Sequence, residues 1–273
     1  MHLSGLFLYP VKSLGGFAVD SAELDALGLV GDRRFLLVDE TGRFLTQRTL
    51  PRMALIATAL DATHLTLSTS STGSVRVPRG SDPAAPVRTV SVWKSEALLA
   101  EDCGDPAAQF LSDFLRTRCR LVRIGEKFSR PVLKAAALPG DVVTFADACP
   151  LLVIGEASLA DLNDRLAERG EEPVPMNRFR PNLVVSGCPA FAEDTWTRFQ
   201  LGAAVFRAAG TCVRCLVPTT DQATAERGKE PLRTLATYRR APANPTDVIF
   251  GQNLIHETKS GSVHVGDTLI PHA

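Results

Sequence analysis

The sequence lacks any long apolar run. No window approaches the ~18 consecutive apolar residues of a membrane-spanning helix, so no helical span and no membrane partner are expected. Charge of either sign is not in excess either: 30 Lys and Arg stand against 30 Asp and Glu, a formal net charge of zero. Overall attraction to nucleic acid or to an anionic surface is therefore not expected. The opening segment "MHLSGLFLYPVKS" has no basic stretch leading into an apolar core and a small-residue cleavage site, and a cytoplasmic protein is expected. No GxGxxG follows a strand and no GxxxxGK[ST] occurs. Strands and helices do not alternate, which argues against a doubly wound nucleotide fold. Internal repeats and low-complexity tracts are absent.

What is present is a chain of 273 residues, enough for one large or two medium cores. Short β-rich runs dominate the first part: "LSGLFLYP", "MALIATAL", "HLTLSTS", "SVRVP", "VRTVSVW" and "CRLVRIG". "RRFLLVDETGRFLTQR" reads as a hairpin turning at "ETGR". "DPAAQFLSDFLRT" reads as a helix capped by Asp105, with Phe110, Leu111, Phe114 and Leu115 on one face. Residues 127–141, "KFSRPVLKAAALPGD", carry two prolines and no period and read as a linker. A second β-rich half comes after it. It includes one amphipathic helix capped near Glu156 to Ser158, a further helix in "EPLRTLATYRR", and a strand in "CLVPTTD". The expected architecture is mainly β: two β-barrel-like halves, residues 1–125 and 126–273, with a few peripheral helices.

Six cysteines occur: Cys103, Cys119, Cys149, Cys188, Cys212 and Cys215. A chain this long needs no disulfides, and reduced thiols packed as small apolar groups are the plain expectation. "GTCVRCLVPTTD" is different, because two cysteines flank Val213 and Arg214. Structural zinc wants four ligands, usually as two close pairs, and neither a second CxxC nor an H-x(3–5)-H pair occurs. A redox dithiol wants a helix N-terminus after the motif, and "LVPTTD" is not one. A silent buried pair is disfavoured by Arg214, whose charge needs a polar partner. Beside the buried pair, which stays open on these residues alone, stands a metal with one protein thiolate and its other ligands from an organic cofactor, such as molybdenum on a dithiolene. That reading requires scattered cations converging on the cysteine. "YPVKSLGG" offers an ammonium, a hydroxyl and open backbone N–H groups to an anion, a weak signal when alone.

Eight segments together carry a resemblance: "YPVKS", "GDRRFLLVDETGRFLTQR", "FADACPLLVIGEASLADLN", "NRFRPNLVVSG", "FAEDTW", "CVRCLVPTTD", "EPLRTLATYRR" and "FGQNL". In this order they resemble the MOSC proteins, named for the molybdenum-cofactor sulfurase C-terminal domain, with the β-barrel domain that often precedes it. Within that family they look like the amidoxime-reducing branch and its bacterial relatives. The resemblance covers nearly the whole chain.

It implies a molybdenum cofactor (Mo-molybdopterin) with Cys215 as the metal's thiolate ligand and catalytic residue, and Cys212 as a cysteine that is not the ligand. It places Lys12, Ser13, Arg34, Asp147, Ala148, Arg178, Arg180, Val213 and Arg214 against the cofactor. The role of Arg178 varies between branches. Ala148 stands where the branch tends to have a hydroxyl, so a backbone contact is implied there. The implied activity is molybdenum-dependent reduction of small N-hydroxylated compounds: amidoximes, hydroxylamines or N-hydroxylated nucleobases. No cysteine follows Cys215, so no iron–sulfur cluster is expected there and a separate electron-donor protein is implied. The alternative within the family is a carrier of sulfur or molybdenum cofactor, with Cys215 holding a persulfide.

Overall fold

A computed structural model describes residues 1–272. The chain is mainly β, built on two curled sheets with three short α-helices: α1 (Asp105–Leu115), α2 (Glu156–Ala167) and α3 (Leu232–Leu235). The larger sheet has nine strands. Leu269–His272, Arg198–Leu201, Ala204–Val213, Asn244–His256 and Leu151–Gly155 pair antiparallel in that order. Leu183–Ser186 then joins Leu151–Gly155 in parallel, and its other edge takes His2–Leu8. The sheet curls until its ends meet. Leu3 N donates to the Asp267 carbonyl, and Leu269 N to the carbonyl of Met1, at 2.9 and 3.0 Å. Closure removes the exposed edges that an open sheet would present.

The first strands therefore complete the second half. Leu3, Leu6, Leu8, Ala22, Leu24 and Leu29 share one core with Leu151, Val153, Phe199, Phe206 and Leu254. The other half is built by the chain from Phe35 to Arg123. A four-stranded sheet runs Phe35–Val38, Arg120–Arg123, Ser95–Asp102, Val87–Val92, with a three-stranded meander of Ala57–Leu60, His64–Thr69 and Gly73–Pro78 beside it. Its core seats α1 through Ala107, Leu111, Phe114 and Leu115 on Phe35, Leu37, Leu65 and Leu121.

Several local expectations are revised. Gly104, not Asp105, caps α1, while the Asp102 carboxylate accepts from Gly104 N at 2.8 Å. The start of α2 is held from a distance: the buried Glu193 carboxylate accepts from Gly155 N and Ser158 Oγ at 3.0 and 2.9 Å. Only Leu232–Leu235 of "EPLRTLATYRR" is helical, docked by the fully buried Leu235 on Leu152 and Phe250. "CLVPTTD" is no strand. Pro218 has no N–H to give a ladder, and Val217–Thr219 forms a 3₁₀ turn. The hairpin at "ETGR" does form, with Asp39 N on the Arg43 carbonyl and Leu45 N on the Leu37 carbonyl at 2.9 and 2.8 Å.

His256, fully buried at the end of the longest strand, donates from Nε2 to the Asp25 carbonyl at 2.7 Å and leaves Nδ1 without a partner. Burial first, then the Lys259 ammonium, lowers its pKa from 6.5 to about 4. As pH falls below ~6.5 the unfolded chain takes up this proton before the folded one does. Stability is thus lost between about pH 6.5 and pH 4, by up to about 3 kcal/mol. His256→Gln is expected to flatten that part of the urea midpoint against pH. An unchanged slope would assign the pH dependence to other groups.

Candidate active site

The two halves meet at a cleft of about 220 Å³. Three segments feed it from different parts of the chain: residues 12–13 after the first strand, 146–152 running into Leu151–Gly155, and 212–217 at the end of Ala204–Val213 and beyond. Six cationic side chains line it (Lys12, Arg33, Arg48, Lys134, Arg180 and Arg214), with one carboxylate, Asp147. In a chain with no net charge this is a local concentration of positive potential, and it selects for an anionic occupant.

The cations are held in fixed places. Lys12, its side chain 7% exposed, forms an ion pair with Asp147, whose Oδ1 also accepts from Trp93 Nε1 at 2.8 Å. Burial lowers the Lys12 pKa, with Asp147 opposing. Burial acts against the Asp147 carboxylate, but Lys12, Trp93 and Arg48 outweigh it and hold its pKa well below the usual range. Asp147 nonetheless opens to the cleft, with 60% of its side chain exposed. The Arg33 and Arg180 guanidiniums both stack on the Tyr9 ring, 4.4 and 4.3 Å from its centroid. Arg33 is locked by Asp32, Asn182 and the Arg180 carbonyl at 2.7, 2.8 and 3.0 Å. Ser13, Arg33 and Arg180 all have left-handed backbone, φ 67, 47 and 57°. Such strain at three residues lining one cleft is characteristic of a functional site.

Two donors remain open. Arg180 Nη2 and Arg214 Nε are buried without hydrogen-bond partners among the described residues. Burial lowers the Arg180 pKa to about 10, so the group is still charged at neutral pH. A buried, uncompensated guanidinium donor costs free energy unless a ligand oxygen meets it.

The two cysteines of CVRC differ. Cys212 accepts from Arg214 Nη1 at 3.1 Å and packs against the core of Leu152, Phe179 and Phe250. Cys215 is half-buried, lines the cleft, and makes no hydrogen bond among the described residues. Val213, 49% exposed, lines the cleft beside it. Among the described residues no group of three His, Cys, Asp or Glu converges as a metal site. A metal at Cys215 would draw its other ligands from a cofactor. One free thiol with open guanidinium donors and excess cation fits an anionic, sulfur-bearing cofactor with a phosphate.

Comparison with known proteins places the chain in a family. Residues 1–118 match the MOSC N-terminal beta barrel domain and residues 140–270 the MOSC domain. The chain belongs to the MOSC family. This MOSC protein is 38% identical to mouse "Mitochondrial amidoxime-reducing component 1" over 96% of its length and 79% of the relative's. It is 35% identical to the human protein of that name, over 96% and 80%. It is also 35% identical to bovine "Mitochondrial amidoxime reducing component 2", over 97% and 81%.

The cleft of this MOSC protein gathers Lys12, Ser13, Asp147, Ala148, Arg180, Val213, Arg214 and Cys215. It does not gather Arg34 or Arg178. Arg34 turns the other way, to Asp25 Oδ1 at 2.7 Å, because the left-handed backbone at Arg33 puts that residue into the cleft instead. Arg178 bonds the Pro218 carbonyl and Asp221 at 3.2 and 3.0 Å, and so secures the turn after Cys215 rather than lining the cleft. Sequence reasoning also missed Arg130, inside the presumed linker. Its buried guanidinium donates to the Thr144, Ala146 and Asp147 carbonyls at 2.7, 2.5 and 3.0 Å and fixes the loop that presents Asp147. A lone arginine beside a proline gave no signal of this. For Arg33 the signal was present, since it adjoins Arg34, but sequence does not reveal which of two neighbours faces inward.

Proposed function

We propose that the protein is a molybdenum-cofactor-dependent reductase of N-hydroxylated compounds, such as amidoximes, hydroxylamines and N-hydroxylated nucleobases. The carrying observation is the convergence, in one cleft, of a Cys215 thiol with Arg180 and Arg214 donors, all without a hydrogen-bond partner among the described residues. The similarity to amidoxime-reducing components supports the substrate class. When bound, the cofactor would supply the two-electron redox step, and Cys215 would be its one protein metal ligand. Arg180 and Arg214 would pair with the cofactor's phosphate and polar edge, Lys12 would add charge, and the backbone at Ser13, Ala148 and Val213 would lie along it. The strained turns keep these groups in place before the cofactor arrives, so little ordering remains at binding. Converting N–OH to N–H takes two electrons and two protons and releases water. The electrons would come from a separate donor protein, and substrate would enter past the exposed Val213.

The test is elemental analysis of protein purified from a host that makes the cofactor, followed by benzamidoxime reduction with dithionite as electron source. Molybdenum near one per chain together with turnover is the expected result. Folded protein without metal, carrying a persulfide on Cys215, would replace this reading with sulfur carriage.

A further inference from the structure

Arg33 lines the cleft, while the next residues, Arg34 and Phe35, line a second cavity of about 200 Å³. Its wall holds three guanidiniums, from Arg34, Arg79 and Arg123, and a single carboxylate, Asp25. Val30, Leu60 and Ile124 add apolar surface. The three cations are partnered unequally. Arg34 Nη2 is taken by Asp25 and the Leu29 carbonyl, at 2.7 and 3.3 Å, and its Nε is buried without a partner. Arg123, its side chain 5% exposed, bonds Glu101 Oε2 through Nε at 2.8 Å and the Pro78 carbonyl through Nη1 at 3.0 Å. Among the described residues Arg79 meets no carboxylate. Its hydrogen bond runs from Nη1 to the Asp61 carbonyl at 2.6 Å. Gly31, with φ +89°, lets Arg79 and Leu60 close in: a Cβ there would lie 3.4 Å from Arg79 Nη2 and 2.8 Å from Leu60 Cδ1.

With Asp25 paired to Arg34 and Glu101 to Arg123, the Arg79 charge is left uncompensated beside a partly apolar cavity. A guanidinium so placed favours an anion that can present two oxygens to its fork. We propose that this cavity is a second anion-binding site, taking a small organic anion. Its carboxylate or phosphate would meet Arg79 and the open side of Arg34, and its apolar body would lie against Val30, Leu60 and Ile124. The site is separate from the cleft, and binding there requires neither metal nor turnover.

Isothermal titration of the purified holo-protein tests this with inorganic phosphate, phenyl phosphate and hexanoate. Wild type is compared with Arg79→Gln and with Arg180→Gln, the second reporting anions that enter the cleft instead. Saturable binding of an organic probe is expected in wild type and in Arg180→Gln, weakened about tenfold or more in Arg79→Gln, the effect of losing a charged hydrogen-bonding partner. Tighter binding of phenyl phosphate assigns a phosphate ligand, and tighter binding of hexanoate a carboxylate. Arg79 is half-exposed and held by one main-chain bond, so its substitution should leave the melting temperature in place. Arg79→Lys, which keeps the charge, should restore part of the affinity. The proposal is overturned if no probe saturates, or if binding survives Arg79→Gln and disappears in Arg180→Gln. Inorganic phosphate binding as tightly as phenyl phosphate would overturn its apolar half.

Discussion

Cys215→Ser is expected to lower bound molybdenum at least tenfold and to remove amidoxime reduction, with little change in thermal stability. The two halves of this expectation have separate grounds. A serine hydroxyl is a hard oxygen that stays protonated at neutral pH, a poor replacement for a soft thiolate. Cys215 is half-buried and, among the described residues, makes no hydrogen bond and belongs to no buried core cluster, so its loss should change stability by no more than about 0.5 kcal/mol. Cys212→Ser supplies the control. Its thiol is already taken by Arg214 Nη1. That variant should keep most of its metal. Elemental analysis of the two variants side by side decides the ligand: metal lost from Cys212→Ser and kept in Cys215→Ser would reverse the assignment.

Gly251→Ala is expected to cost about 3–5 kcal/mol, enough to leave a typical domain barely folded. Gly251 sits in the longest strand at φ +78°, where a side chain is disfavoured by about 1–2 kcal/mol. An added Cβ would also lie 2.7 Å from Ile154 Cγ1 and 2.8 Å from the Val153 carbonyl, inside the sheet. Neither neighbour can retreat easily. Val153 is in the ladder opposite Gln252, and Ile154 is fully buried. The damage should reach the site. Asn253, two residues on, lines the cleft and ties the carbonyls of Gly210 and Thr211 at 3.1 and 3.3 Å, just before Cys212. Urea unfolding of the variant should show a much lower midpoint. A midpoint within experimental error of wild type would mean that the strand can shift to accept the methyl group.

The β-rich character was legible from local patterns. Alternating runs such as "HLTLSTS" and "SVRVP" carry their own strand signal, and both pair in the meander. Lys12, Arg180 and Cys215 were named through motif resemblance alone, and all three line the cleft. What failed depends on backbone direction or distant partners. Arg33 and Arg34 share charge and neighbourhood, and only the sign of φ at Arg33 separates their destinations. The capping of α2 by Glu193 is invisible locally, since the carboxylate arrives from 38 positions along the chain to reach Gly155 N. Pro218 could have warned against a strand in "CLVPTTD", yet the apolar "LV" before it outweighed that signal. Residues 127–141 do lack helix and strand, but reading them as a linker overlooked a buried arginine that organises the cleft.

The placement of the first strand also sets a schedule for synthesis. Ser4 lies beside Val184, 180 positions away, and the Leu3, Leu6 and Leu8 side chains plug a core whose other members lie largely beyond residue 150. At typical elongation rates, the earliest residues wait on the order of ten seconds or more for their neighbours to be made. During that interval residues 35–123 can collapse around α1, while the edge of the first strand that will meet Leu183–Ser186 still lacks its partner. Closing the larger sheet is then a late, long-range event of the slow kind.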